Sequence, residues 1–494
     1  MGAEKSSINQ ETYMGTIPIL KNERIYSFSD ITLTATGFGI ASWSYVQGAW
    51  IASIVNFWTA LVICIVPLVM IGLFIMFLVI IPARYGVDLW MYQRAVFGHK
   101  FAFLLCFSAI FITWGWYAIN CGVMANSVIQ IGTIAGADLS RWNIPISMSC
   151  AVIGCLIAVQ GPQLVKIATW VMIPALVIVS VILLIKVAAT TSWAELMSFQ
   201  PIAGDTYPNT KVAFISATDG MFAFAFGWYP VLGGLSRLAK SEKGSYWGQY
   251  IGFILAMCIF IVIGAVCSTL VSARLGTFSS TPGDWLVALS TPFWSVLSNV
   301  AIALANIATQ MIGCYCLAIA LKVFQPNWSY KRIAVGMTVF CCTLIAWEGI
   351  WTYYNVFLAV VAISAVPAIG MIFADFFLIR RDKFSLQACF RRGGHEEYSY
   401  TGGFNLVALV SFVIGASLYL ITYNPLTYTI NNDFLMKFTP TGLACLGAII
   451  SYYVLCSIPG LRTYVLREKQ GTLEKRSGSS PAAQAAASVE TETA

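Results

Sequence analysis

Two short stretches hold residues whose type and placement make them able to bind a small solute. TWGWYAIN (113–120) sets Trp116 and Asn120 four residues apart, so on a helix they share one face. An indole beside an amide suits a planar heterocycle, because the ring stacks and the amide reads its polar edge. Stacking of this kind adds about 0.5–1.5 kcal/mol beyond area burial. The competing assignment, an interfacial tryptophan belt, fits poorly with an Asn120 that lies well inside the apolar run. The second stretch, MFAFAFGWYPVLGG (221–234), sets Trp228 beside Gly227 and two residues before Pro230. Both flanking types weaken a helix that otherwise looks ready to cross a membrane.

The elements that must position these residues follow from composition. The chain is 59% hydrophobic and 10% charged, against about 25% charged in soluble proteins. Apolar runs of about 20 residues span a bilayer as helices. Twelve such spans are expected near 31–54, 58–82, 101–132, 143–161, 165–188, 212–238, 245–275, 288–324, 331–349, 354–378, 403–423 and 440–460. The first contains GFGIASWSYVQGAW (37–50), so the first and sixth spans both combine Gly, an aromatic and an interruption. Each opens a block of five spans. Paired broken helices in corresponding places point to a transporter site. Backbone freed in mid-membrane is tolerable only where it lines a cavity or binds something, and half-helix ends carry partial charge. For one helix alone, a proline kink with close-packing glycine is the simpler assignment; the matched pair argues for a site.

Loop charges set orientation. With a cytoplasmic amino terminus, the inner loops hold Arg84, Arg94, Lys100, Lys166, Arg237, Lys240, Lys243, Lys331, Arg332, Arg380, Arg381, Lys383, Arg391 and Arg392. Arg141, Lys211, Arg274 and Lys437 are left outside, a one-sided bias of the expected sign. Both termini are thus expected in the cytoplasm, and the short tails favour a bacterial inner membrane over other plasma membranes. The expected layout is a cytoplasmic tail over 1–27, a transmembrane domain over 28–462 and a charged, Ser/Ala-rich disordered tail over 463–494. Fourteen cysteines lack zinc-type spacing and only two histidines exist, so packing is expected of them rather than metal binding. HExxH, GxSxG and phosphate-cradling loops are absent from the sequence, which argues against an intramembrane enzyme. No nucleic acid partner and no bound cofactor are expected, and oligomeric state is left open.

RYGVDLWMYQRAVFG (84–98), WYAIN (116–120), FGWYPVLGGLSRLAK (226–240) and ADFFLIRRDKFSL (374–386) together resemble the nucleobase:cation symporter family. That family covers permeases for cytosine, purines, uracil, allantoin and hydantoins, and the likeness runs through about residues 25–460. It implies an all-α, leucine-transporter-type architecture. Two five-helix inverted repeats, near 28–190 and 210–380, would precede two extra helices near 403–460. It also implies a substrate clamped between the indoles of Trp116 and Trp228, with Asn120 and the Gly227 backbone as polar readers. Ser42, Gln310, Gly313 and Cys314 join this set as further candidates. In ALANIATQMIGCY (303–315), Ala305, Ala308 and Thr309 would face a cation alongside backbone near Gly39 to Ser42.

Two departures bear on coupling. Sodium-coupled relatives carry a hydroxyl where Ala308 falls and an amide where Gly313 or Cys314 falls. Sodium prefers hard oxygen ligands, so the resemblance leaves both H+ and Na+ as the co-transported ion. Gln310 is near enough in sequence to replace the amide, about one helical turn out of phase. Asp219 is the only carboxylate in the outer half of the sixth span and a candidate for proton coupling, although it lies about 13 Å along a helix from Trp228. A solvated outer rim is the more ordinary place for it. Asp375 and Arg380–Arg381 are expected to anchor the inner face. The function expected is import of a small planar nitrogen heterocycle by cation-coupled alternating access. A carrier of amino acids or vitamins on the same scaffold and an uncoupled facilitator are the rivals.

Overall fold

Ser27 begins the first crossing by a reciprocal cap: its side chain accepts from the Asp30 amide, and Asp30 accepts from the Ser27 amide in return. Helix α1, Phe28–Gly39, then stops in mid-protein and α2, Ser42–Ile54, restarts. Between them Ala41 is extended, at φ −63° and ψ 164°. The computed structural model describes residues 17–390 and 398–466. Continuing along the chain, α3 is Phe57–Tyr85, α4 Leu89–Phe97, α5 His99–Ile134, α6 Asn143–Ala158 and α7 Pro162–Thr190.

The sixth crossing repeats the interruption as α8, Thr210–Phe226, and α9, Tyr229–Ser236. Pro230 has no N–H to give the Phe226 carbonyl, so the ladder fails at that turn. This break is tighter than the first: Gly227 and Trp228 stay near helical dihedrals, whereas Ala41 does not. The expectation of unwound backbone at both sites therefore holds for the first crossing and becomes a sharp turn in the sixth. Beyond it lie α10, Glu242–Leu275, the short α11, Pro282–Leu289, α12, Pro292–Phe324, α13, Tyr330–Trp347, and α14, Tyr354–Ile379. Helices α15, Leu406–Thr422, α16, Pro440–Ser457, and α17, Pro459–Leu466, complete the described chain.

Eight helices are long and apolar enough to cross a membrane by themselves. The two broken crossings, α7 and α15 bring the count among described residues to the twelve expected. Four crossings, α3, α5, α6 and α7, lie between the two breaks, so α1–α2 and α8–α9 run in opposite directions, as an inverted repeat requires.

Packing is closest where the first crossing meets the seventh. A Cβ on Gly48 would overlap the Ile261 carbonyl, and one on Gly264 would overlap Tyr45 backbone. Small residues here let α2 and α10 approach backbone to backbone, the usual way membrane helices gain van der Waals contact. Helix α5 lies along α12, and α15 pairs with α16 against α14.

The basic end is tied together by residues far apart in sequence. Arg84 pairs with Glu242 at 2.8 Å and with Asp382, and Tyr85 donates to Asp382 at 2.6 Å. Residues 17–27, drawn from sequence as part of a tail, are packed: Ile19 donates to the Gly86 carbonyl, Tyr26 to Leu238, and the Arg24 guanidinium to the carbonyls of Ala83, Arg84 and Ala239. The boundary drawn at 462 also moves. Helix α17 runs to Leu466, and the Val465 carbonyl accepts from Arg380 and Tyr400. Residues 1–16, 391–397 and 467–494, including Arg391, Arg392 and most of the tail expected over 463–494, lie outside the described residues.

Candidate substrate site

The two interruptions meet over a cluster of aromatic rings. Trp228, directly after Gly227, is flanked by Trp43 from the start of α2 and by Trp116 from the middle of α5. Centroids are 4.4 Å apart at 34° for Trp43 and 5.4 Å apart at 36° for Trp116. Phe38 meets Trp228 edge-on at 5.3 Å. Trp116 is walled by Phe357 at 4.8 Å, Phe224 at 5.0 Å and Tyr354 at 5.8 Å. These spacings are ordinary aromatic contacts, and all three tryptophans are fully buried. Neither predicted indole points into lipid.

Polar groups lie among these rings with part of their hydrogen-bonding capacity unused. Asn120 donates through Nδ2 to the Asn306 backbone carbonyl at 2.9 Å. Ser42, the first residue of α2, donates to Asn306 Oδ1 at 2.6 Å. Tyr354 donates to Gln47 Oε1 at 2.6 Å. The Nε1 groups of Trp43, Trp116 and Trp228 have no protein partner, nor do Asn120 Oδ1, Asn306 Nδ2, Gln47 Nε2 and the Tyr117 hydroxyl. Buried polar atoms are normally paired. These unpaired donors and few acceptors line a box of rings whose chemistry, ring faces beside free hydrogen-bonding atoms, matches a flat polar molecule.

The residues singled out from sequence divide into two groups. Trp116, Asn120, Gly227, Trp228 and Ser42 come together at this box. Gly227 is in contact with Trp116: a Cβ there would stand 3.4 Å from Nε1 and 3.1 Å from Val361. The clamp itself is closed, because at 5.4 Å the Trp116 and Trp228 rings touch each other and no third ring fits between them. Gln310, Gly313 and Cys314 do not join. Gln310 points to the far side of α12, where it meets Cys121 and Cys341 at 3.6 and 3.8 Å. Cys314 lies against Cys155 and Thr338 on that same side. Gly313 does face α5, but the Tyr117 hydroxyl occupies the space where its side chain would be. Displacement along the helix, with a smaller rotation, is the reason: position 310 lies about 6 Å and position 314 about 12 Å along α12 from position 306, so they meet other neighbours.

The cation candidates are placed around the first break. Thr309 donates to the Gly37 carbonyl at 3.1 Å, and Ser44 donates to the Gly39 carbonyl at 2.6 Å. Ala305 and Ala308 are buried on the same helix and have no side-chain oxygen to contribute. Two of the carbonyls beside the break, those of Gly37 and Gly39, are thus engaged by the chain's own hydroxyls.

Asp219 is not at a solvated rim. It is 4% exposed and accepts from the Thr441 amide at 2.6 Å, with Tyr419 also bonded to it. Thr441 is in the first turn of α16, whose early N–H groups have no intrahelical acceptor, and a carboxylate also complements the helix dipole there. Replacing Asp219 by Leu leaves that amide buried and unpaired, a loss of about 1–3 kcal/mol. Asp219→Asn keeps an acceptor and is expected to lose only about 0.3–1 kcal/mol. Thermal unfolding midpoints in detergent order the two variants, and a reversed order would remove the capping role.

Sequence reasoning missed Trp43, Gln47, Tyr117 and Asn306. A signal for Trp43 was present: like Trp228, it follows a helix interruption almost at once. Asn306 carried no such mark, since an asparagine in an apolar helix declares its facing only once its neighbours are known. All fourteen cysteines are free thiols, and no group of His, Cys, Asp or Glu able to hold a metal occurs among the described residues.

Residues 22–455 match the family model described as permease for cytosine/purines, uracil, thiamine, allantoin. The chain is 23% identical over 430 residues to a purine-uracil permease of Arabidopsis thaliana, covering 81% of this chain and 69% of that protein. It is 26% identical over 188 residues to a hydantoin permease of Microbacterium maritypicum, 37% of each chain. Among solved structures it is similar to Mhp1, a nucleobase-cation-symport-1 family transporter in a closed conformation with bromovinylhydantoin bound. There the TM-score is 0.72 at 19% identity, over 92% of this chain and 96% of that one. That likeness fixes the fold as the leucine-transporter type with two extra helices.

Proposed function

Since the chain belongs to the family of permeases for cytosine/purines, uracil, thiamine and allantoin and is a membrane transporter, we propose that it imports a small planar nitrogen heterocycle. A nucleobase, allantoin or a hydantoin is the intended substrate class. Import is coupled to a proton or sodium ion and proceeds by alternating access. The observation that carries this reading is the box of three buried indoles whose N–H groups are all unpaired, set where two broken crossings meet.

The mechanism follows from the geometry. A ring that enters between Trp116 and Trp228 must part them from 5.4 Å to about 9 Å, twice the short end of aromatic spacing. Trp116 belongs to one long unbroken helix and Trp228 to the turn in the sixth crossing. The turn is the softer element, so separation moves α8–α9 relative to α5. The unpaired Nε1 groups, Asn120 and the Gly227 backbone then meet the polar edge of the ring. Binding energy so gained is realised only after the broken helices have shifted, which is how substrate binding drives a carrier from one access to the other. Release follows when the Arg84–Glu242–Asp382 ties at the basic end open. That end faces the cytoplasm, with both termini, and the membrane is the bacterial inner membrane.

For the coupling ion, the place of interest is the first break beside Thr309. Ala308 has no hydroxyl, and Gly39 already accepts from Ser44. Both features disfavour tight sodium binding and favour a proton.

Uptake of labelled cytosine, hypoxanthine, uracil, allantoin and hydantoin, measured in sodium and then in potassium at two pH values, tests the whole reading. Accumulation above the external concentration, abolished by a protonophore and indifferent to sodium, is the expected result. Equilibration without accumulation would make the chain a facilitator, and no uptake of any heterocycle would overturn the substrate class.

A further inference from the structure

Asn306 stands where three elements converge. It is on α12, its Oδ1 takes the hydroxyl of Ser42 just after the first break, and its backbone carbonyl takes the amide of Asn120 on α5. Asn306 and Asn120 are both fully buried. These bonds set the polarity of what remains. Asn120 must turn its nitrogen toward a carbonyl, so its Oδ1 is left as an acceptor. Asn306 uses Oδ1 on Ser42, so its Nδ2 is left as a donor. Neither remaining atom has a protein partner.

We infer that Asn306 reads the substrate together with Asn120. The Asn306 Nδ2–H and Asn120 Oδ1 form a donor–acceptor pair matched to a lactam edge, a ring N–H next to a C=O. This rests on the heterocycle reading above and narrows it to rings that present an adjacent donor and acceptor, cyclic amides and imides foremost. The ring N–H donates to Asn120 Oδ1 and the adjacent carbonyl accepts from Asn306 Nδ2. Position supports the pairing: Asn120 is one turn from Trp116, about 5–6 Å between Cβ atoms, so a ring stacked on that indole extends its edge toward the pair. Asn120 cannot turn over cheaply, because that would set its oxygen against the Asn306 carbonyl, and Asn306 is oriented by the hydroxyl that Ser42 donates to its Oδ1. A ring whose carbonyl is replaced by a thiocarbonyl keeps its N–H for Asn120 Oδ1 but offers Asn306 Nδ2 only a weak acceptor. Sites built to hydrogen-bond reject such analogues strongly. Asn306 also bonds Ser42, so a substrate bond to Nδ2 acts directly on the start of α2.

The test uses the full chain in lipid nanodiscs and competition binding of hypoxanthine against 6-thiohypoxanthine and of uracil against 2,4-dithiouracil, in which the N–H is kept and the carbonyl that Asn306 reads becomes a weakly accepting thiocarbonyl. Each pair differs in the acceptor of the lactam edge. In the native protein the carbonyl-bearing member is expected to bind at least about tenfold better. Asn306→Ala is expected to bring the ratio to within about threefold. The near-isosteric Asn306→Asp, which replaces the donor with an acceptor, is expected to weaken the carbonyl-bearing members about tenfold. A role confined to holding helices together would lower all four ligands alike and leave the ratios unchanged. Unchanged ratios in both well-folded variants overturn the inference alone, whereas no heterocycle binding to the native chain overturns the reading on which it rests. Should Asn306→Ala not fold, Asn306→Asp decides by itself.

Discussion

Trp228→Ala is expected to reduce heterocycle uptake by about a hundredfold or more, while Trp228→Phe stays within about tenfold of the native rate. This indole contacts both Trp43 and Trp116, so a ring bound between two of these three tryptophans next to the break stacks on Trp228. Losing it removes a stacking contribution of about 0.5–1.5 kcal/mol and about 2 kcal/mol of apolar burial against the substrate. Together these approach the roughly 2.7 kcal/mol that corresponds to a hundredfold change. Phenylalanine keeps a ring face and sacrifices only the Nε1–H, a single hydrogen bond of about 1 kcal/mol. Initial uptake rates normalised to the amount of protein in the membrane check both values. The control matters because removing a buried tryptophan also costs about 3–5 kcal/mol of stability. Native uptake by the alanine variant would sink the aromatic site.

The second large effect is structural. Asp375 and Arg380 were expected to anchor the inner face, and they prove to be a buried ion pair at 2.8 Å, 0% and 1% exposed at their side chains. Tyr92 and Tyr452 donate to Asp375 at 2.5 and 2.6 Å. Arg380 donates to the carbonyls of Ala95 and Val465. The pair thereby joins α4, α14, α16 and α17. Asp375→Asn or Arg380→Met strands one charge in a medium that cannot solvate it, a loss of about 3–5 kcal/mol. The double change Asp375→Leu with Arg380→Met removes both charges, yet it leaves two tyrosine hydroxyls and two carbonyls without these partners. It is expected to recover part of the loss and not all of it. Unfolding midpoints of the three variants give the comparison. Singles no less stable than the double would mean that the pair is not buried as a unit.

How much was readable in advance depended on how local the cause was. Apolar runs and Lys/Arg placement gave the twelve crossings because a bilayer imposes length and backbone satisfaction on each segment separately. Gly227 and Pro230 announced the sixth interruption because a missing N–H acts on its own turn. Trp116 and Asn120 declared a shared face because helical spacing is a property of one helix. Where the cause lay between helices, the reading failed or stayed mute. Gln310 was assigned to the site on sequence proximity and Cys314 on family resemblance, yet their places along α12 set them against α6 and α13. Asp219 looked solvated until α16 was found to begin against it. Residues 17–27 looked like a polar tail until Arg24 met three carbonyls from two other elements.

The sequence alone therefore determined that this is a twelve-crossing membrane protein with two interrupted helices and aromatic residues beside them, since those features follow from period, propensity and hydropathy. Only the tertiary structure decided which polar atoms remain unpaired beside those rings. Hydrogen-bond satisfaction is settled between elements: Asn120 and Asn306 acquire opposite polarity only because Ser42 and a backbone carbonyl, distant in sequence, occupy their other atoms.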